Sequence, residues 1–412
     1  MYKNSSNVLP DIPSLTGLRF WAAFFILQNH LLLGFVSRDN QLFKNLLNAG
    51  ASIGMSIFFI LSGFIIHYNY HRKLFVFSFS NFYDFIAARF SRLYPLYIFL
   101  FVLDVLTTNQ TFGQLKTDDV IDSLKYFFTM TQTWLYFKNS SGELIAHMFH
   151  RSSISWSIST EFLLYFTYPL TLYFLKFDNL KKYIKIFFYI FLILLFSMGL
   201  SYLSSSVNII DSFAVKYFGA DAGIQKSGAN AFVYWFIFLS PYVRIFEFLI
   251  GIFICHLYLN FKDDLPWEAT ASILQVIGIA SICFIAATFL PDLIRFQSLM
   301  WLYKTIGYYP AIAIIILICA RYPSSSINKY FSNKVFVSLG EYSYSIYLFH
   351  IYVYYAASHV VNSVDLSFIQ IIVVWMAIFS SAHILFRYIE MPYRKQFKDN
   401  FGSIKRYFFK GC

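Results

Sequence analysis

The chain has 412 residues, of which 58% are hydrophobic and 22% aromatic but only 13% charged, about half the charged share of an ordinary soluble domain. That balance excludes a soluble globular enzyme and a disordered chain, because the apolar residues recur in runs of about 20, the length that crosses a bilayer. A net charge of +11 on such a chain points to a basic cytoplasmic face rather than to nucleic-acid binding.

Taken in chain order, Met1 to Thr16 shows no basic stretch followed by a cleavage site, so residues 1–17 read as a cytoplasmic lead-in. Apolar spans follow near 18–36, 51–70, 93–108, 157–175, 184–203, 231–257, 270–290, 300–319, 341–361 and 367–388. The expected fold is all-α: a polytopic integral membrane protein with about ten transmembrane helices within 18–390, both termini cytoplasmic, and a basic tail at 391–412. Of the 32 Lys and Arg, 20 then fall in inner segments, 10 in outer ones, and Arg19 and Arg244 lie within spans, which agrees with the positive-inside rule. The third span is the weakest because it carries Asp104. The outer loops at 109–156 and 204–230 are long, and the aromatic stretch Tyr126–Phe137 suits an interfacial or re-entrant segment. Cys255, Cys283, Cys319 and Cys412 include no C-x-x-C pair and have no His at ligand spacing, so neither a disulfide framework nor a metal site is expected.

A charge at mid-bilayer costs about 2.5–3.5 kcal/mol on insertion scales, so each polar residue inside a span asks for a reason. In the first span Arg19 precedes His30 by eleven residues; at 100° per residue the two lie within about 20° of one helix face and roughly 16 Å apart along it. They should line one cavity, Arg19 near the cytoplasmic surface and His30 deep. Taken singly, Arg19 snorkelling to headgroups and His30 in a helix–helix hydrogen bond remain open. The second span ends Leu61-Ser62-Gly63-Phe64, small enough for close helix approach, and Arg89-Phe90-Ser91-Arg92 follows on the inner side, where it can clamp a phosphate or simply anchor the helix.

The fourth span opens Trp156-Ser157-Ile158-Ser159-Thr160-Glu161, and Glu161 reaches a depth similar to that of His30, so the two are plausible neighbours. Arg244 and Glu247 in the sixth span are spaced for a self-contained ion pair. In the ninth, Tyr344, Tyr347 and His350 form a polar stripe that must face protein or water; the tenth ends at Glu390-Met391-Pro392, where Glu390 meets a basic rim. His67, His71, His147, His150, His256, His359 and His383 show no comparable companions and read as structural.

In order, Leu18-Arg19 with His30, Phe59-Ile60-Leu61-Ser62-Gly63-Phe64, Arg89-x-x-Arg92 with Tyr94-Pro95, Trp156-Ser157-Ile158-Ser159-x-Glu161, Arg244-x-x-x-Phe248 with Gly251, Tyr344-Ser345-x-Tyr347-Leu348-x-His350 and Glu390-x-Pro392 resemble the acyltransferase 3 family, over about residues 12–394. These are membrane-embedded O-acyltransferases that modify bacterial surface sugars and some lipid or antibiotic acceptors. The resemblance implies a bacterial cytoplasmic-membrane protein that takes an acyl group, usually acetyl, from cytoplasmic acetyl-CoA or another acyl-CoA. The acceptor would be a hydroxyl of a glycan such as O-antigen, capsule, exopolysaccharide or peptidoglycan. It implies His30 as general base or acyl carrier with Glu161 beside it, Arg19, Arg89 and Arg92 at the donor phosphates, and Tyr347 and His350 along the donor's path. Trp156, Ser157, Ser159 and Arg244 fall to the acceptor, and no metal takes part.

The residues also leave two other classes open. A transporter or flippase for a glycan or lipid-linked sugar would bury Arg, Glu and His in the same way, with paired interrupted helices as its mark. A sensor would bind acyl-CoA or glycan without turnover. No His is followed by Asp at four or five residues, and neither a G-x-S-x-G elbow nor a Walker A loop is expected. The soluble esterase-like extension fused to some relatives is not seen in these residues, so transfer is expected to finish within the membrane domain or through a separate protein.

Overall fold

The structure is a computed structural model that describes residues 10–35, 41–107, 117–149, 151–175, 181–261, 267–288, 297–360 and 367–408. Residues 1–9 of the expected lead-in, His150 and the last residues of the tail lie outside the described residues. Among the described residues the regular structure is all helical, with one isolated bridge between Lys138 and Leu144. In order the helices are α1 (Pro13–Phe35), α2 (Gln41–Leu74), α3 (Phe79–Thr107), α4 (Thr117–Phe128), α5 (Trp156–Phe174), α6 (Lys182–Ser205) and α7 (Val207–Phe218). Two short turns, α8 (Ile224–Ser227) and α9 (Phe232–Tyr234), lead to α10 (Pro241–Phe261), α11 (Trp267–Thr288), α12 (Gln297–Ile306) and α13 (Tyr309–Arg321). The chain closes with α14 (Ser326–Phe331), α15 (Lys334–Glu341), α16 (Ser343–Val360), α17 (Phe368–Leu385) and α18 (Met391–Phe408).

Each expected span overlaps a helix, and five stretches among the described residues are long and apolar enough to cross a membrane: Leu42–Leu74, Phe79–Thr107, Tyr183–Ser205, Ile224–Asn260 and Phe368–Arg406. The chain is therefore a multi-pass membrane protein. Helix α1 is not among the five; Arg19, Gln28, Asn29 and His30 dilute its apolar surface.

Several boundaries differ from the sequence expectation for visible reasons. Helix α1 starts at Pro13, inside the expected lead-in, because a proline is tolerated in a first helical turn. The expected span 300–319 is two helices, broken at Gly307, whose φ of +63 few other residues adopt. The basic tail is helical and docks on α3, where Lys405 reaches Asp84 at 2.8 Å and Tyr83 donates to the Phe401 carbonyl at 3.2 Å. Asp104, the doubtful feature of the third span, is buried and accepts the backbone N–H and hydroxyl of Ser152, each at 2.8 Å. Its helix therefore continues to Thr107. Helix α17 begins with a capping box between Ser367 and Gln370.

Glycines set the closest contacts of the bundle. A Cβ at Gly63 would stand 2.0 Å from the Phe248 carbonyl oxygen, and one at Gly251 would stand 1.9 Å from that of Ile60, so α2 and α10 meet backbone to backbone. Gly17 and Gly340 do the same for α1 against α14 and α15. These close approaches set α2 against α10, which carries the buried Arg244 and Glu247, and α1 against α14 and α15.

Candidate active site

The polar stripe expected on α16 is present, and its upper end meets α1. His30 and His350 lie 320 residues apart in sequence, yet Nδ1 of His30 stands 2.8 Å from Nε2 of His350, with the rings 7° from parallel. His350 is buried and His30 half-buried. Nδ1 of His350 donates to the Tyr347 carbonyl at 2.7 Å. The Tyr347 ring lies 6.2 Å from the His350 ring, and its hydroxyl donates to the Ile154 carbonyl at 2.7 Å while accepting from Ser157 Oγ at 2.9 Å.

One turn below the histidines, a cavity opens between α1, α2, α3, α5 and α16. Arg19, Arg92, Ser62, Glu161, Tyr344 and Tyr347 are among its lining residues. Helical spacing explains the lining: Ser157, Glu161 and Tyr165 follow at four-residue steps on α5, and Met55, Phe59 and Ser62 share a face of α2. Glu161 accepts hydrogen bonds from Ser62 and from Tyr165, one turn further along its own helix. Arg19 is within electrostatic range of Glu161, Arg92 and Arg89, and Arg394 of α18 is within range of Arg92, Arg89 and Glu390. The Arg19 end of the cavity and the α18 segment next to it are thus strongly cationic, with Glu161 lining the cavity and Glu390 beside Arg394.

Phe59 lines this cavity, and the guanidinium of Arg244 lies 5.5 Å from the centre of its ring and 5.6 Å from that of Trp156. Arg244 donates to Glu247 at 2.9 Å and to the Phe238 carbonyl at 3.0 Å, so the expected ion pair forms, and it is buried. Arg244 also borders a second cavity with Ser52, Ser204, Lys304, Tyr303 and Tyr308.

The structure does not join every expected residue. His30 is paired with His350 rather than with Glu161, and it does not line the cavity that holds Arg19. Arg89 stands behind the cavity, donating to the Tyr70 hydroxyl at 2.9 Å. Ser159 points away, accepting from Thr133 Oγ1 at 2.9 Å, while its carbonyl accepts from Trp134. Of the stretch Tyr126–Phe137, Phe127, Met130, Gln132 and Thr133 are buried, while Phe128, Leu135 and Phe137 are exposed.

Other features escaped the sequence reading. Ser62, Tyr165 and Arg394 enter the site through partners that only the fold brings near. His67 and His256, read as isolated, face each other at 3.2 Å beside Tyr168 and His71. Gly50-Ala51-Ser52-Ile53-Gly54 has the G-x-S-x-G spacing of a hydrolase elbow, but it lies within α2, where Ser52 donates to the Asn48 carbonyl.

The comparisons with known proteins point the same way. O-acetyltransferase OatA of Staphylococcus aureus is 26% identical over 397 residues, which is 93% of this chain and 57% of that protein. Acyltransferase MdmB of Streptomyces mycarofaciens is 26% identical over 342 residues, 82% of this chain and 78% of that one. A protein of Staphylococcus aureus strain COL, provisionally named an O-acetyltransferase, matches 93% of this chain, which spans 58% of its length. No solved structure gives a significant match. The acyltransferase 3 family model, described as an acyltransferase domain, matches residues 12–386, and the chain with its buried Arg, Glu and His residues belongs to that family.

Proposed function

We propose that this O-acyltransferase moves an acyl group, acetyl in the first instance, from cytoplasmic acyl-CoA to a hydroxyl of a surface or lipid-linked glycan, with His30 as the reacting base. The topology that goes with this reading has ten helices in the bacterial cytoplasmic membrane and both termini inside; the lysine and arginine distribution supports it. The observation that carries the reading is the convergence of Arg19, Arg92, Glu161, Ser157 and Tyr347 on one cavity, beneath the His30–His350 pair.

Arg19 and Arg92 suit the donor's phosphates, since guanidinium groups bind phosphate through charge-assisted, bidentate hydrogen bonds. The rise of roughly 16 Å from Arg19 to His30 suits an extended thiol arm that carries the thioester past Tyr344 and Tyr347. His30 then removes the proton of the acceptor hydroxyl as it attacks the thioester carbonyl. Attack by His30 itself, giving an acyl-histidine, uses the same geometry. Glu161, held by Ser62 and Tyr165, counters the arginine charge below. Arg244, Trp156 and Ser157 fall to the acceptor, with Arg244 between the two cavities.

Membrane vesicles of defined orientation test the reading. Labelled acetyl-CoA supplied to the cytoplasmic face should pass its label to co-reconstituted glycan, and supply to the opposite face should give none. Transfer that ignores the face of supply would overturn the proposed donor path.

A further inference from the structure

The hydrogen bonds around His30 and His350 fix which nitrogens carry protons. A carbonyl oxygen only accepts, so Nδ1 of His350, 2.7 Å from the Tyr347 carbonyl and 3.3 Å from that of Ile346, carries a proton. A neutral imidazole has one N–H, and its other nitrogen is an acceptor. Nε2 of His350 is therefore bare, and the 2.8 Å contact with His30 requires the proton to sit on Nδ1 of His30. What remains is Nε2 of His30, unprotonated. Among the described residues no carboxylate is hydrogen-bonded to either ring, so neither imidazole has a countercharge and both are neutral.

We infer that His350 is a positioning residue that locks His30 in its Nδ1–H tautomer, so that the Nε2 lone pair is free to take the acceptor's proton. The inference rests on the reading of His30 as the base and gives His350 a role other than donor binding. The acceptor O–H proton passes to His30 Nε2 while its oxygen bonds to the thioester carbonyl carbon. The C–S bond then breaks, and the thiolate leaves with that proton, which restores neutral His30. During the step His30 is an imidazolium whose Nδ1–H still points at His350 Nε2, so the acceptor that set the tautomer also receives the stronger, charge-assisted bond. The carboxylate of a Ser-His-Asp triad performs the same two tasks. Here a second imidazole, tied to a helix carbonyl one turn away, does so without placing a negative charge in the bilayer.

Two substitutions separate this role from packing. In His350→Gln the amide oxygen reaches the place of Nε2 and can still accept from His30 Nδ1–H. In His350→Asn the shorter amide reaches only the place of Nδ1, so the bond to the Tyr347 carbonyl survives and the one to His30 is lost. The full-length protein, labelled with ¹⁵N-histidine, is compared in both variants, with His30→Ala identifying the His30 signals. Wild type and His350→Gln should show His30 with protonated Nδ1 and bare Nε2, and kcat within about threefold of each other. His350→Asn should lose the single tautomer and about 100-fold in kcat, the scale of general-base catalysis, with the donor KM within about twofold and an unchanged thermal midpoint. Equal losses in both variants, or a single Nδ1–H tautomer retained in His350→Asn, would overturn the inference. Activity surviving in His30→Ala, with the tautomer pattern as described, would instead remove the catalytic reading on which it rests.

Discussion

Ser157 on α5 donates to the hydroxyl of Tyr347 on α16 at 2.9 Å, and that hydroxyl in turn donates to the Ile154 carbonyl, just before α5 begins, at 2.7 Å. The pair lines the cavity above the arginines and ties α16 to the start of α5. Tyr347→Phe removes the hydroxyl and leaves the buried Ile154 carbonyl unpaired. The expected cost is about 1–3 kcal/mol of stability, read as a lower thermal midpoint in detergent, with a fall in transfer rate of roughly tenfold. A rate unchanged beside a lowered midpoint would make the link purely structural.

The arginines at the inner end make a prediction about the donor. Arg92→Ala should raise KM for acetyl-CoA by roughly 10- to 100-fold, the loss expected for one charged hydrogen bond. With acetyl-pantetheine, which lacks the nucleotide and its phosphates, the same substitution should leave KM unchanged within about twofold. Equal effects on both donors would mean that Arg92 shapes the cavity without touching phosphate.

Arg244 and Glu247 form a buried pair, and breaking a pair is more harmful than replacing it. Arg244→Ala leaves the Glu247 carboxylate, which also accepts from Ser56 at 2.7 Å, without its countercharge, at an expected cost of about 3–5 kcal/mol. Arg244→Met with Glu247→Gln should recover most of that loss. Thermal unfolding of the single and double variants checks this, and a double variant no better than the single would show the pair to be only weakly coupled.

The seam between α2 and α10 predicts a steric effect. Gly63→Ala places a methyl 2.0 Å from the Phe248 carbonyl oxygen, which forces the helices apart at about 1–3 kcal/mol or more. Gly402→Ala on α18 meets nothing within 4 Å and should be neutral or slightly stabilising through its helix propensity. Midpoints that fail to separate the two substitutions would contradict the close contact.

Much of this arrangement could be read from spacing. Arg19 and His30 share a face of α1 because eleven residues is close to three whole turns, and the stripe Tyr344, Tyr347, His350 follows from three-residue steps. The approach of Glu161 to His30 failed for a physical reason. Depth along two helices fixes height but not the direction in which a side chain turns, and α5 turns Glu161 toward Ser62 and Tyr165. His350 was legible as polar but not as the partner of His30, since no local pattern links positions 320 residues apart. Arg394 is legible only as one charge of a basic tail, because the docking of α18 on α3 depends on tertiary contacts. The break at Gly307 was missed because a lone glycine in an apolar run is common in membrane helices.

The central claim is that His30 carries acyl transfer. Purified protein in detergent, wild type beside His30→Ala, is given acetyl-CoA labelled in the acetyl group together with a pooled surface-glycan extract. The account predicts label in the glycan with wild type and a loss of at least about 100-fold in His30→Ala, with donor binding retained. Label reaching the glycan equally in both proteins would contradict it.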